Sequence, residues 1–194
     1  MLLSLGSKLI EVAQTMDQAV SPWLLRQQPH IHGKTGLALD LACGAGRHSR
    51  YLSALGFQVI AVDRDSASFP DLTRLNVSCI QCDLEGSLEG YRWPFRDESF
   101  DLVVVTNYLH RPLFSSIFAS IKLGGVLIYE TFSDGHQNLG RPKSPHFLLR
   151  TDELLERCQT GSDGRGFQCL DFEQGQVNRN GPAIVQSICA RRII

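Results

Sequence analysis

The sequence predicts an α/β fold, a three-layer sandwich on a mostly parallel seven-stranded sheet whose C-terminal strand runs antiparallel. Strand-like and helix-like segments alternate from residue 37 to about residue 130, which calls for crossover connections and parallel pairing. Leu102 to Val105 is an unbroken aliphatic run, the pattern of a strand covered on both faces. The last two strand-like runs have no helix between them, so they should pair as a hairpin. At 194 residues and 43% apolar, the chain supports one core without disulfides or metals.

Each element has its own warrant. Leu9, Val12, Ala13, Met16, Ala19 and Val20 fall at helical spacing, and Ser21-Pro22 closes the pattern because the residue before proline avoids the helical region. Residues 1–36 are therefore read as an N-terminal helical arm over the ligand site, and 37–194 as the α/β domain. Leu37–Leu41 is the first strand and Arg47–Leu55 the first crossover helix, with Gly56 as its stop. Phe57–Val62 and Val77–Gln81 are the next strands, separated by a short helical or irregular piece from Ser66 to Arg74. Asp101–Thr106 is the fourth strand, Pro112–Leu123 a helix with proline in its first turn, and Val126–Glu130 the fifth strand. Phe167–Phe172 and Ala183–Ala190 complete the seven, joined through Asn180-Gly181.

Composition narrows the function classes. Nineteen basic against twenty acidic residues gives a net charge of −1, which offers no global attraction to nucleic acid or anionic membrane. Six scattered cysteines fall far below a disulfide scaffold and suit the reducing cytosol. Met-Leu-Leu-Ser-Leu-Gly lacks a preceding basic region, and Lys8 interrupts it, so no export signal is read. Cys79-x-x-Cys82 has a zinc-like spacing but lies in a strand with no second pair at the usual interval, and His30-x-His32 is short of ligands, so no metal is expected.

The densest signal is Leu39-Asp40-Leu41-Ala42-Cys43-Gly44-Ala45-Gly46-Arg47-His48-Ser49, where a strand gives way to a helix. Gly44 and Gly46 allow a tight turn and close approach of a ligand to the backbone. Asp63 ends the second strand, suitably placed to accept two ribose hydroxyls. Cys82-Asp83-Leu84 ends the third, putting a second carboxylate where an adenine amino group could donate to it. Asp40 suits a cationic amine and disfavours a pyrophosphate. The loop also reads Gly44-x-Gly46-x-x-Ser49, without the third glycine of a dinucleotide fingerprint. The ligand these residues describe has adenosine at one end and an amino acid at the other.

With these residues in view, the chain resembles the class I S-adenosylmethionine-dependent methyltransferases over most of residues 20–194. The match takes in the glycine loop, Asp63, Asp83, the Asp101 strand ending in Thr106-Asn107-Tyr108-Leu109-His110, and Leu123-Gly124-Gly125-Val126-Leu127. The family departs here in having glycine, in many members, where this chain has Ala42. The resemblance implies a Rossmann-like fold with a reversed last strand and S-adenosyl-L-methionine as cofactor. The expected cofactor shell is Asp40, Ala42, Cys43, Gly44, Gly46, Asp63, Arg64, Cys82, Asp83, Leu84 and Asn107, with Arg26 reaching in from the arm, a solvated surface arginine being the alternative. Tyr129-Glu130-Thr131-Phe132 and Gly140-Arg141-Pro142-Lys143 resemble most the small tellurite-resistance-type bacterial methyltransferases.

The chemistry needs little beyond orientation, because the sulfonium already activates the methyl carbon. A general base helps when the acceptor is a hydroxyl or a protonated amine, and His110, at the carboxyl edge of the sheet, is the candidate. The alternative is a histidine that caps or packs on the following helix. Tyr108 is the second catalytic candidate and could wall the adenine or the substrate; the other reading is an aromatic of the core. His48 shares a stripe with Tyr51, Leu52 and Leu55 and is read as structural. No acid occurs between Asp134 and Asp152, while His136, Arg141, Lys143, His146 and Arg150 do. Arg141 and His146 are therefore expected to bind the substrate from a lid that prefers an anionic acceptor, a solvated loop being the alternative. The expected acceptor is a small molecule, with RNA second. A non-catalytic cofactor-binding regulator and a nucleotide-linked oxidoreductase are the competing classes.

Overall fold

In a computed structural model, residues 20–31, 33, 35–86, 93–159, 166–178 and 181–194 are described. The helical stripe from Leu9 to Ala19 and His32 lie outside them. The chain enters through two short helices, α1 (Pro22–Arg26) and α2 (Gln28–Ile31). Ser21 caps α1, its hydroxyl accepting from the Trp23 and Leu24 N–H groups.

Seven strands follow in one sheet: β1 (Leu37–Leu41), β2 (Gln58–Asp63), β3 (Val77–Gln81), β4 (Phe100–Thr106), β5 (Ile121–Phe132), β6 (Phe167–Asn178) and β7 (Pro182–Arg192). Their spatial order is β3-β2-β1-β4-β5-β7-β6. The first five are parallel, and β7 is antiparallel to both β5 and β6, as the hairpin argument required. The remaining helices are α3 (Arg47–Ala54), α4 (Phe69–Thr73), α5 (Phe114–Ala119) and α6 (Glu153–Gln159). No helix among the described residues is long and apolar enough to cross a membrane.

Strand alternation divides the core between the two faces of the sheet. Leu39, Leu41, Val103, Val105, Leu127 and Tyr129 point to one face with Phe114, Ile117 and Phe118 of α5 and Leu154 of α6. Ala38, Leu102, Val104, Val126 and Ile128 point to the other with Trp23 and Leu24 of α1 and Tyr51 and Leu52 of α3. Helix α1 is thus part of the core: Trp23 and Leu24 are 3% and 0% exposed.

Several boundaries differ from the sequence reading, and β5 runs Ile121–Phe132 rather than Val126–Glu130. The helix expected over Pro112–Leu123 is a 3-10 turn (Arg111–Leu113) followed by α5, and it stops at Ala119 because Ile121 already pairs with Phe100. The hairpin strands are longer than the apolar runs, since Glu173–Asn178 continue pairing with β7. Helix α6 was not foreseen; its first turn carries Glu153 and Glu156, which favour a helix N-terminus.

Phe100 is fully buried on β4, with the Phe95 ring edge-on at 4.9 Å. Phe100→Ala should cost about 3–5 kcal/mol by denaturant unfolding; a loss below about 1 kcal/mol would show that this end of the core is not close-packed.

Candidate active site

The site lies at the carboxyl ends of β1, β2, β3 and β4. Order reverses between β1 and β4: α3 covers one face and α5 the other, so the loops that leave these neighbours diverge and open a crevice. The β1 loop turns in left-handed backbone, with φ of 54° at Ala42, 53° at Gly44 and 75° at Gly46. A Cβ on Gly44 would meet nothing within 4 Å, whereas one on Gly46 would lie 2.5 Å from Leu72 Cδ2. Gly44 therefore presents open backbone to a ligand, and Gly46 lets the loop pack on α4. Ala42 holds its turn at a steric cost that glycine would not incur.

Asp63 ties this loop to β2. Its Oδ2 accepts the Gly44 N–H at 2.8 Å and its Oδ1 accepts the Asp65 N–H at 2.9 Å. Ser68 Oγ donates to the Gly44 carbonyl at 2.7 Å, and the Cys43 N–H donates to the Val62 carbonyl at 3.0 Å. Beside them is a cavity of about 240 Å³ lined by Ala42, Asp63, Arg64, Cys82, Asp83, Leu84, Glu85 and Tyr108. Seven of these residues were expected from the sequence. Glu85 was missed, although the turn after β3 holds it there: its N–H donates to Asp83 Oδ1 at 3.0 Å. The Tyr108 hydroxyl is buried with no hydrogen-bond partner, and burial, then the nearby Glu85 and Asp83, push it above the ordinary tyrosine range.

Asp40 lies below the loop, 1% exposed. Ser49 Oγ donates to its Oδ2 at 2.6 Å, while its Oδ1 has no donor. Burial raises the Asp40 carboxyl from 3.8 to about 6; Ser49 and Arg47 oppose that shift, and Asp63 adds to it. A buried carboxylate oxygen without a partner, below open backbone, fits a ligand with a cationic amine.

The other expected residues are placed differently. The Cys43 side chain packs into the core, and burial, then Asp40, pushes its thiol up. Asn107 is exposed just past β4 with φ 54°, its N–H donating to the Glu130 carbonyl at 2.8 Å. The structure does not bring Arg26 to the cavity. Its guanidinium lies 4.5 Å over the Trp23 ring and pairs with Asp171 at 2.7 Å and Glu173 at 2.6 Å on β6.

His110 is half-buried at the start of the 3-10 turn, on the same carboxyl edge. His48 is 1% exposed. Its Nε2 accepts the Ser21 N–H at 3.2 Å, so its Nδ1–H faces Thr106 Oγ1 at 3.1 Å. Burial, then Arg47, lowers it to about 3, so it stays neutral and structural. Ser21 Oγ also donates to the buried Glu130 at 2.7 Å, joining arm, loop helix and sheet.

In the loop after β5, Arg141, Lys143 and His146 are exposed. His136, counted in the sequence with the basic lid, is instead 4% exposed and stacked on Phe132 at 4.2 Å. Its Nδ1 accepts the Ile184 N–H at 3.3 Å and its Nε2–H donates to the Arg141 carbonyl at 2.8 Å, so it shapes the loop from within.

The sheet order, with its reversed last strand, is that of the Rossmann-like methyltransferase fold. Residues 39–128, just under half of the chain, match a family model described as "Methyltransferase domain". Over these residues the chain is similar to methyltransferase domains. Solved structures share the fold. TehB from Haemophilus influenzae is 22% identical with a TM-score of 0.64, the alignment covering 90% of this chain and 63% of TehB. The Burkholderia thailandensis 1,6-didemethyltoxoflavin-N1-methyltransferase, with 1,6-didemethyltoxoflavin and S-adenosylhomocysteine bound, is 19% identical with a TM-score of 0.65, covering 97% and 83%. The [4+2]-cyclase SpnF is 16% identical with a TM-score of 0.67, covering 98% and 93%. No curated protein sequence matches the chain.

Two measurements follow from these positions. A carboxyl raised from 3.8 to about 6 gives a stability contribution that is fully present below 3.8 and lost as pH rises through about 6. At 1.36 kcal/mol per pH unit the loss is about 3 kcal/mol at most. Asp40→Asn should thus raise the melting temperature of the cofactor-free protein at pH 8, with the gain vanishing near pH 4, while S-adenosylhomocysteine affinity falls; equal effects at both pH values would rule out ionisation as the cause. Arg26→Ala, which removes pairs to a guanidinium 49% exposed, should cost at most about 1 kcal/mol and leave cofactor affinity unchanged.

Proposed function

We propose that the protein transfers the methyl group of S-adenosylmethionine to a small anionic or oxyanionic acceptor in the cytosol. The observation that carries the acceptor class is the loop at the carboxyl edge: Arg141 and Lys143 are exposed, with no acidic partner among the described residues. A net charge of −1 offers no field for a long polyanion, which puts RNA second. The bound 1,6-didemethyltoxoflavin of the Burkholderia enzyme is a precedent for a small acceptor in this fold. None of the six cysteines is joined in a disulfide, in keeping with a reducing compartment.

The cofactor supplies a methyl carbon activated by its sulfonium. Asp63 accepts from the ribose hydroxyls with the lone pairs left by Gly44 and Asp65. Asp83 accepts from the adenine amino group, between Cys82, Leu84 and Arg64. Asp40 Oδ1 accepts from the ammonium or from a water beside it, and the Gly44 and Gly46 turn keeps side chains away from the amino-acid end. Tyr108 closes the cavity from β4. His110, on the same edge, takes the acceptor proton as methyl transfer proceeds, and Arg141 and His146 hold the acceptor's negative group. Of the N-terminal segment, α1 covers the face on which Trp23 and Leu24 are packed.

Incubation with S-adenosylmethionine and a pool of low-molecular-mass metabolites should release S-adenosylhomocysteine, and an RNA pool should release less. Asp63→Ala should abolish release. His110→Ala should lower the maximal rate by about 10²-fold or more, and Arg141→Ala should raise the acceptor KM while cofactor affinity holds. A second reading, in which the cofactor is bound without methyl transfer, is motivated by the cyclase SpnF on the same fold; tight binding with no turnover on any pool would establish it.

A further inference from the structure

The segment after β4 is held at two points. Tyr129 Oη donates to the Tyr108 carbonyl at 2.9 Å. Beyond His110, the Arg111 guanidinium makes a two-point fork to Glu153, Nε to Oε1 at 2.9 Å and Nη2 to Oε2 at 2.8 Å. The same guanidinium reaches two loop carbonyls: Nη1 donates to His146 at 2.9 Å and Nη2 to Leu148 at 2.7 Å. Four of its five N–H donors are therefore used.

Glu153 is 0% exposed at the start of α6. It also accepts the Arg150 N–H at 3.0 Å, with Arg150 Nε at 3.5 Å and Arg157 Nη2 at 3.4 Å. Burial alone would raise its carboxyl, but the hydrogen bonds from Arg111 and the Arg150 N–H outweigh burial and hold it at about 2. Three arginines attend one carboxylate, and Arg111 at 2.8 Å is the nearest of them. What Arg111 adds is the bridge to the loop carbonyls. Between the two anchored carbonyls stands Phe147, 48% exposed.

We propose that Arg111 is a positioning residue for the methyl acceptor: seated on Glu153, its guanidinium fixes the His146–Leu148 turn beside His110 and so builds the acceptor-side wall. This rests on the reading that the acceptor binds at this edge. A lysine keeps the charge but cannot bridge four acceptors from one ammonium.

Arg111→Lys is the informative variant, because Arg111→Ala leaves a buried carboxylate short of its main partner and is prone to misfold. Three quantities are compared with wild type: S-adenosylhomocysteine affinity by calorimetry, amide exchange of that complex, and S-adenosylhomocysteine release against metabolite-pool concentration. Affinity should stay within about twofold, exchange should rise over residues 139–150 but not 40–49, and the half-saturating pool concentration should rise about tenfold or more with the maximal rate within about threefold. Equal losses of cofactor affinity and half-saturation, or unchanged values throughout, would overturn the assignment. If wild type turns over no pool, methyl transfer itself fails as a reading. Exchange then decides separately: a rise over 139–150 supports Arg111 as the seat of this turn, and no rise overturns it.

Discussion

Everything at the carboxyl edge depends on the change of direction in strand order at β1. With β2 on one side and β4 on the other, the chain must leave these two neighbours toward opposite faces, and a cavity of about 240 Å³ opens beside the β1 loop. The sheet is rigid there: Leu39, Leu41, Val103 and Val105 are 0% exposed. A crevice bounded by such strands keeps its shape without a ligand, so the free energy of cofactor binding is not spent on building the site.

The polar groups around that crevice divide into those that build it and those left for a ligand. Asp63 does both, because two backbone N–H groups fix its orientation and lone pairs remain. His48 and Ser21 only build, bonding to each other, to Thr106 and to Glu130. Asp40 Oδ1 and the Tyr108 hydroxyl are buried and unpaired, which the folded protein tolerates at a cost in stability. That cost is placed where a ligand can relieve it, the pattern expected where function and stability compete.

Much of this was legible from the sequence because the signals are local. Aliphatic runs located β1 to β5, and the glycine loop with Asp63 and Asp83 located the cavity and seven of its eight lining residues. What was not legible depends on pairing over long sequence separations. Nothing near Pro112–Leu123 says that Ile121 will pair with Phe100 and cut the helix short. Arg26 looked free to reach a ligand because Asp171 and Glu173 are more than a hundred residues away in the chain. His136 looked like a surface cation because its partners, Phe132 apart, are backbone groups that carry no sequence signature. Glu153 was silent for the same reason: a glutamate in a helix is ordinary until Arg111 is seen against it.

The ion-pair cluster on β6 has a second consequence. As the last strand in the order, β6 offers a twelve-residue margin of backbone groups that a foreign extended chain could join. Arg26, Asp171 and Glu173 stand along that margin, and Gly175 interrupts it with a φ of 135°. Charged side chains and an irregular backbone are how β proteins discourage unwanted edge-to-edge association. The contact that pins the arm thereby also protects the molecule from polymerising through its own border, and variants that neutralise it should be judged for colloidal behaviour as well as for melting.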